Sequence, residues 1–343
     1  MIDTIGGRKT AIVSTIIVGF YQTFIGRLED YYLFAGFQTL LMFNHMPTIV
    51  EALIGQMIGE DGDDKERTKL MMRLTIPLSI AFALGPYLAV QFLYVVSPTL
   101  MASQTACGIV HLFVLLPVIF FMLPEQSSNK SLKSIPSFGA YFEMLRDTKF
   151  LWSLIFVVLV TGPYTAYDQI VRTLIASRML SEPNDMAKLA LLLGVATLIA
   201  NLFILPRLQQ RFGPQQLLEM SLVLLAASYA FLSQFNEFGY LMIGMPLQII
   251  GVCIGVGQLS AQIMSAVPRS HMGKAAAMNR IAQLAAATMS PLITGYYIDT
   301  YETQLLCYVS LGVTICAIPL VHVYGKFMQR HFVNLPTVKH AYD

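Results

Sequence analysis

An all-α bundle of helices crossing a membrane many times is the fold class this sequence predicts, on three observations. Of its 343 residues 55% are hydrophobic and only 12% charged, with a mean hydropathy of +0.61; a soluble surface needs roughly twice that charge. Apolar runs recur that are long enough to cross the hydrocarbon. A polar run, Glu125 to Lys149, separates four of these stretches from six.

In chain order the spans fall at about Ala11 to Ile25, Tyr32 to Ile58, Leu74 to Val96 and Met101 to Leu123. After the polar run they fall at Phe150 to Ser177, Met186 to Leu205, Leu217 to Phe235, Tyr240 to Val267, Ala275 to Ile298 and Leu305 to Phe327. This divides the chain into a four-helix part (1–123), a linker (124–149), a six-helix part (150–328) and a tail (329–343). No short apolar segment with a cleavage site opens it, so Met1 does not begin a signal peptide. Alternate connections, counted from the N-terminus, hold 17 Lys and Arg; the opposite ones hold Arg27, Arg178 and Lys188. By the positive-inside rule both termini and the linker face the cytoplasm.

Two pairs of segments recur at nearly one offset, the mark of an internal repeat. Asp3-Thr-Ile-Gly-Gly-Arg-Lys9 pairs with Gln210-Arg-Phe-Gly-Pro-Gln-Gln216, placing Gly6 and Gly213 207 residues apart. Phe82-Ala-Leu-Gly-Pro86 pairs with Ala287-Thr-Met-Ser-Pro291, placing the prolines 205 apart. The first four spans then correspond to the last four, and two N-terminal partners are expected upstream of Met1.

Ionisable and polar groups inside spans are the candidates for chemistry, because they are costly in lipid and usually face a cavity or a partner. The second span holds Asn44, His45 and Glu51, with Glu51 about 9 Å further along at roughly 1.5 Å per residue. His45 is either a proton carrier or a hydrogen-bonded packing residue. Glu51 either serves the site, pairs with Arg280 or reaches water. Asp168 and Arg172, one turn apart in the fifth span, form either a structural ion pair or a charged element of the site. The same span has a kink signal in Gly162-Pro163, and Tyr164 and Tyr167 either stack on an organic cation or simply pack. In the eighth span Gln248, Gln258 and Gln262 are either ligands or helix-helix glue. Ala275, Ala276, Ala277, Ala285, Ala286 and Ala287 serve close packing.

Several chemistries find no support. Cys107, Cys253, Cys307 and Cys316 form no CxxC or Cys/His pattern, so neither disulfides nor zinc are expected. The run Glu60, Asp61, Asp63, Asp64 lacks EF-hand spacing, and no metal or cofactor is expected. Basic and aromatic interleaving for nucleic acid is missing, as are HExxH, GxSxG and P-loop motifs, so no enzyme is expected. Asn129-Lys-Ser131 matches a glycosylation sequon, but in a cytoplasmic linker it is a chance match.

Asp3-x-x-Gly6-x-Arg8-Lys9 resembles the cytoplasmic signature between helices two and three of the major facilitator superfamily, and Gly85-Pro86 with Ala89 resembles its helix-five antiporter motif. Within the superfamily the chain is most similar to the drug-proton antiporter-like branch, in particular the organic-cation-transporter-like, tetracycline-transporter-like solute carriers of animals. That similarity runs through Met46-Pro47 to Gln56, Glu66-Arg67, Gly162 to Tyr167 and Met272-Gly273 onward. The resemblance implies that the spans are helices three to twelve of a twelve-helix fold. It also implies that Asp3, Gly6, Arg8 and Lys9 form a charge latch favouring the outward-facing state. The pattern departs at Gly7 and Gln56, where a basic and an acidic residue are usual. It departs again at Phe37 or Gln38, where helix four usually carries arginine, and at Gln210, which replaces the second signature aspartate.

Gly85 with Pro86, and Pro291 with Gly295, are expected to make bendable helices, glycine allowing close contact and proline freeing a carbonyl. Together these readings imply a secondary transporter of a small organic solute, an organic cation or drug among the candidates. Its partners would be the lipid bilayer, the solute and a proton as coupling ion, with His45, Glu51 or Asp168 in the coupling role. The alternative is a transport-inactive membrane scaffold or partner-binding protein derived from a transporter.

Overall fold

A bilayer core offers backbone amides no water, so a chain this apolar must close its hydrogen bonds within helices. The computed structural model describes residues 7–44, 46, 49–50, 76–77, 80–81, 83–85, 87–92, 95–96, 99–123, 138–177, 183–234, 237–267, 272–298 and 303–332. Among these it is helical with no strand. The chain divides into two units, Met1–Leu74 with Leu84–Tyr141, and Thr75–Ala83 with Phe142–Asp343. Among the described residues six helices are long and apolar enough to cross a membrane.

In the first unit α1 (Gly7–Ile25) buries a stripe of small residues, Gly7, Thr10, Ala11, Ser14, Thr15, Val18 and Gly19, and turns Val13, Ile16, Phe20 and Phe24 outward. Small residues let helix backbones approach where lipid supplies no hydrophobic drive. α3 (Leu100–Val110) uses that room: a Cβ on Gly108 would stand 2.7 Å from the Thr23 nitrogen and 2.9 Å from the Gly19 carbonyl. α2 (Tyr31–Gln38) starts on Asp30, whose carboxylate accepts from the Leu33 N–H at 2.9 Å. It tightens into a 3-10 turn, Thr39–Phe43, and stops at Asn44 with φ −80° and ψ 74°. The expected uninterrupted span from Tyr32 to Ile58 is therefore broken at Asn44, a residue that favours leaving a helix, with a proline three residues on that has no N–H to give.

α3 runs into a π-turn, His111–Leu115, and then α4 (Leu116–Met122), with Pro117 at its second position. The second unit repeats the device. There α7 (Pro183–Ile199) passes through the π-turn Ala200–Ile204 into α8 (Leu205–Arg211), with Pro206 at the second position. A proline's missing N–H and its clash with the preceding turn are accommodated by the wider turn.

The run expected as a linker holds a helix, α5 (Phe138–Arg146), in which Phe138, Tyr141, Phe142 and Leu145 recur at helical spacing. Asp147 then caps α6 (Thr148–Ser177), accepting from the Lys149 N–H at 2.8 Å and the Phe150 N–H at 3.4 Å. The second unit continues with α9 (Pro214–Leu232), α10 (Phe238–Ser265), α11 (Met272–Ile298) and α12 (Thr303–Phe332). α9 and α10 pack antiparallel in one register: Cβ atoms on Gly244, Gly251 and Gly255 would run into Leu232, Leu225 and Ser221 respectively. Ser221 donates across that seam to the Gly251 carbonyl at 2.7 Å. Trp152, Phe156 and Tyr324 form an aromatic cluster with centroids 5.9–6.0 Å apart, tying α6 to α12.

Candidate functional site

The polar interior of the second unit is built around Pro163 of α6, whose missing N–H breaks the ladder of main-chain hydrogen bonds inside a continuous helix. Pro163 lies inside this 30-residue helix, and a hydroxyl two residues to either side bonds back to the main chain, Thr161 to the Val157 carbonyl and Thr165 to the Thr161 carbonyl, both at 2.6 Å. Such back-bonding bends helices. The Gly162 carbonyl at the break accepts from Ser290 of α11 at 2.9 Å, while the same hydroxyl reaches the Ala286 carbonyl at 2.6 Å. Ser290 directly precedes Pro291, so one hydroxyl links the proline-bearing stretches of two helices.

Tyr164, Tyr167 and Asp168 follow at i, i+3 and i+4, on one side of α6 below the break. Tyr167 is buried and meets Tyr229 of α9 edge to face at 6.1 Å; Tyr164 and Asp168 are half-buried. The Tyr167 hydroxyl reaches the Cys307 thiol of α12. Beside Tyr229 lies Gln248 of α10, fully buried. The Tyr229 hydroxyl and both polar atoms of the Gln248 amide have no hydrogen-bond partner among the described residues. Further along α10, Gln258 is buried and Gln262 half-buried. Ser260, between them, accepts from Asn279 of α11 at 2.9 Å. The described residues hold no cluster of His, Cys, Asp and Glu able to bind a metal.

Other expected site residues stand apart from this group. Arg172 is in α6 one turn beyond Asp168, and Pro291 and Gly295 are in α11; their side chains, like His45, Glu51, Asp3, Gly6 and Pro86 altogether, lie outside the described residues. Arg8 and Lys9 open α1, Lys9 exposed. Arg8 donates to the Phe120 carbonyl and stacks 4.9 Å from the Phe120 ring centroid, so among the described residues its contact is the end of α4. Among the described residues no atom lies within 4 Å of where a Gly85 Cβ would be, while close approaches occur at Gly19, Gly108, Gly244 and Gly255, among others. Arg280 is exposed and donates to Gln283 at 3.3 Å.

Sequence reading passed over Ser290, Asn279 and Tyr229. Ser290 and Asn279 carried a signal, as polar groups inside apolar runs. Tyr229 carried none, because a tyrosine in an apolar helix is ordinary packing.

With this geometry in hand, residues 182–331 match the model of the Major Facilitator Superfamily. Among solved structures, the crystal structure of the human organic anion transporter MFSD10 (TETRAN) matches with a TM-score of 0.76 at 15% sequence identity, over 93% of this chain and 78% of that one. No curated protein matches the sequence. The likeness to the solved structure establishes the fold, and with six membrane-length apolar helices the chain is a multi-pass membrane protein built on the major facilitator fold.

Proposed function

We propose that this protein carries a small organic solute across its membrane by alternating access. The observation that carries the reading is the likeness of fold, over 93% of the chain, to a transporter. The proline in α6, whose missing N–H frees the Leu159 carbonyl, and the bond from Ser290 of α11 to the Gly162 carbonyl support it, since a helix so loosened and so tied can bend without losing its place.

On this reading the chain is a carrier of the drug-proton antiporter-like kind, with a four-helix part, a cytoplasmic linker, a six-helix part and cytoplasmic termini. Asp168 is the carboxylate that attracts a cationic solute, with Tyr164 and Tyr167 offering ring faces and Gln258 and Gln262 amides. His45 and Glu51 are the candidates for proton coupling. Arg8 and Lys9, with Asp3 and Gly6, form the latch, and the glycine-proline stretches at 85–86 and 291–295 bend. The neighbour's printed name refers to organic anions, and Arg172, one turn from Asp168, supplies the opposite charge, so sign preference is what the experiment must decide.

Proteoliposomes containing the purified chain should take up a labelled quaternary ammonium faster than a labelled organic carboxylate under an imposed pH gradient. Asp168→Asn should lower the cation rate about tenfold or more, and His45→Ala should flatten its dependence on the gradient. Uptake of neither solute above empty vesicles would overturn the transporter reading. Carboxylate preference with an indifferent Asp168→Asn would overturn the cation assignment alone.

A further inference from the structure

We infer that the foot of α7 and α8 is a binding site for an anionic phospholipid. An open cleft of about 300 Å³ lies there, lined by Phe203, Ile204, Arg207, Leu208, Arg211 and Phe212. The lining falls in two rows at steps of four, Phe203, Arg207, Arg211 and Ile204, Leu208, Phe212, and the π-turn Ala200–Ile204 ahead of Pro206 is the feature that sets the first members beside the rest. π-turns of this kind recur at functional sites.

Among the described residues no carboxylate pairs with the charges in the cleft. Arg207 and Arg211, one turn apart, are both exposed, and Arg207 lies 5.7 Å from the Phe203 ring centroid. The described ion pairs, Lys188 with Asp185 and His322 with Glu219, use neither. α9, which begins three residues after Arg211, has no acidic residue in its first turn. Two guanidiniums one turn apart favour a phosphate, which each can grip with two parallel hydrogen bonds.

The apolar rows decide which phosphate. Phe203 and Phe212 are 50% and 39% exposed at the same place. A free anion would use the arginines and leave these rings without a partner, whereas a phospholipid fills both halves, headgroup on Arg207 and Arg211 and acyl chain along the aromatic and aliphatic row. Basic residues at this end also follow from membrane topology, but topology requires neither the cleft nor its exposed rings.

The test is a local reading of lipid preference. Phe212→Trp in a Trp152→Phe background gives one tryptophan at the cleft, reconstituted with brominated phosphatidylglycerol or brominated phosphatidylcholine as quencher. About one factor of five for each arginine near the surface gives a preference of roughly twentyfold for the anionic lipid at low salt. It should fall to near unity in Arg207→Gln/Arg211→Gln and survive largely in Arg207→Lys/Arg211→Lys. Equal quenching by both lipids in the arginine-bearing protein would overturn the site, whether or not the glutamine variant folds. Preference persisting in a folded glutamine variant would overturn the assignment to these arginines. Preference abolished by millimolar inorganic phosphate at constant ionic strength would mean that the cleft takes free phosphate and would overturn the lipid reading.

Discussion

Replacing Gln248 by leucine is expected to stabilise the protein, the reverse of what removing a buried polar group usually does. Gln248 is 0% exposed, and neither its carbonyl oxygen nor its nitrogen has a hydrogen-bond partner among the described residues. An unpaired buried amide costs on the order of 1–3 kcal/mol, while an apolar side chain of similar volume carries no such penalty. Leucine should therefore recover about 1–3 kcal/mol. At about 2 °C per kcal/mol for a chain of this size, the unfolding midpoint should rise by roughly 2–6 °C. The neighbouring Tyr229 hydroxyl is unpaired in the same way, so Tyr229→Phe should also stabilise, by about 1 kcal/mol.

The assay is thermal unfolding in detergent followed by emission of the single tryptophan, Trp152, which packs against Phe156 and Tyr324 and loses that environment on unfolding. A midpoint lowered by several degrees in Gln248→Leu would mean that the amide is partnered in the working protein and would refute the reasoning.

Other substitutions have equally definite outcomes. Ser290→Ala removes the bond to the Gly162 carbonyl and should cost about 0.6 kcal/mol, the mean for interhelical hydrogen bonds in a membrane; on the transport reading it also changes turnover more than apparent affinity, and wild-type turnover would count against a hinge there. Gly108→Val should destabilise by about 1–3 kcal/mol or prevent folding, because the atoms in its way are backbone atoms of Thr23 and Gly19 that cannot rotate aside. Gly36→Ala and Gly312→Ala meet nothing within 4 Å and should gain up to about 1 kcal/mol from helix propensity; a loss at either would place an undescribed neighbour there. Lys188→Gln breaks an exposed pair with Asp185 and should change the midpoint by no more than about 0.5 kcal/mol equivalent.

Composition made the membrane class legible, and Gly162-Pro163 advertised the break in α6, because proline's chemistry is local and needs no partner to act. The turns nearby were equally local but were read through. Asn44 sat inside an apolar run and ended the helix there. Leu116-Pro117 and Leu205-Pro206 each directly followed a π-turn, and Phe138, Tyr141, Phe142 and Leu145 carried a helical period inside a polar run treated as linker. What no one-dimensional reading could supply is pairing. Ser290 and Gly162 are 128 residues apart, and nothing near either names the other.

The reason lies in the solvent. In water the buried face of a helix is the apolar one, but in lipid both faces are apolar and periodicity fades. Here Phe113 and Phe121 lie outside at 74% and 81% exposure, while Ser14, Ser221, Ser228 and Thr314 lie inside at 4% or less. Size and hydrogen-bonding capacity, and not hydropathy, sort the faces. Small hydroxyl residues and glycines turn inward, where backbones meet and where a hydroxyl can bond a carbonyl one turn back, as Thr161 and Thr314 do. A reading that weighted Ser, Thr, Gly and Ala as interior signals would have drawn α1 correctly, with Gly7, Ala11, Ser14, Thr15 and Gly19 inside and Phe20 and Phe24 against the lipid. The same weighting turns the Phe203 and Phe212 rings outward, beside the exposed Arg207 and Arg211.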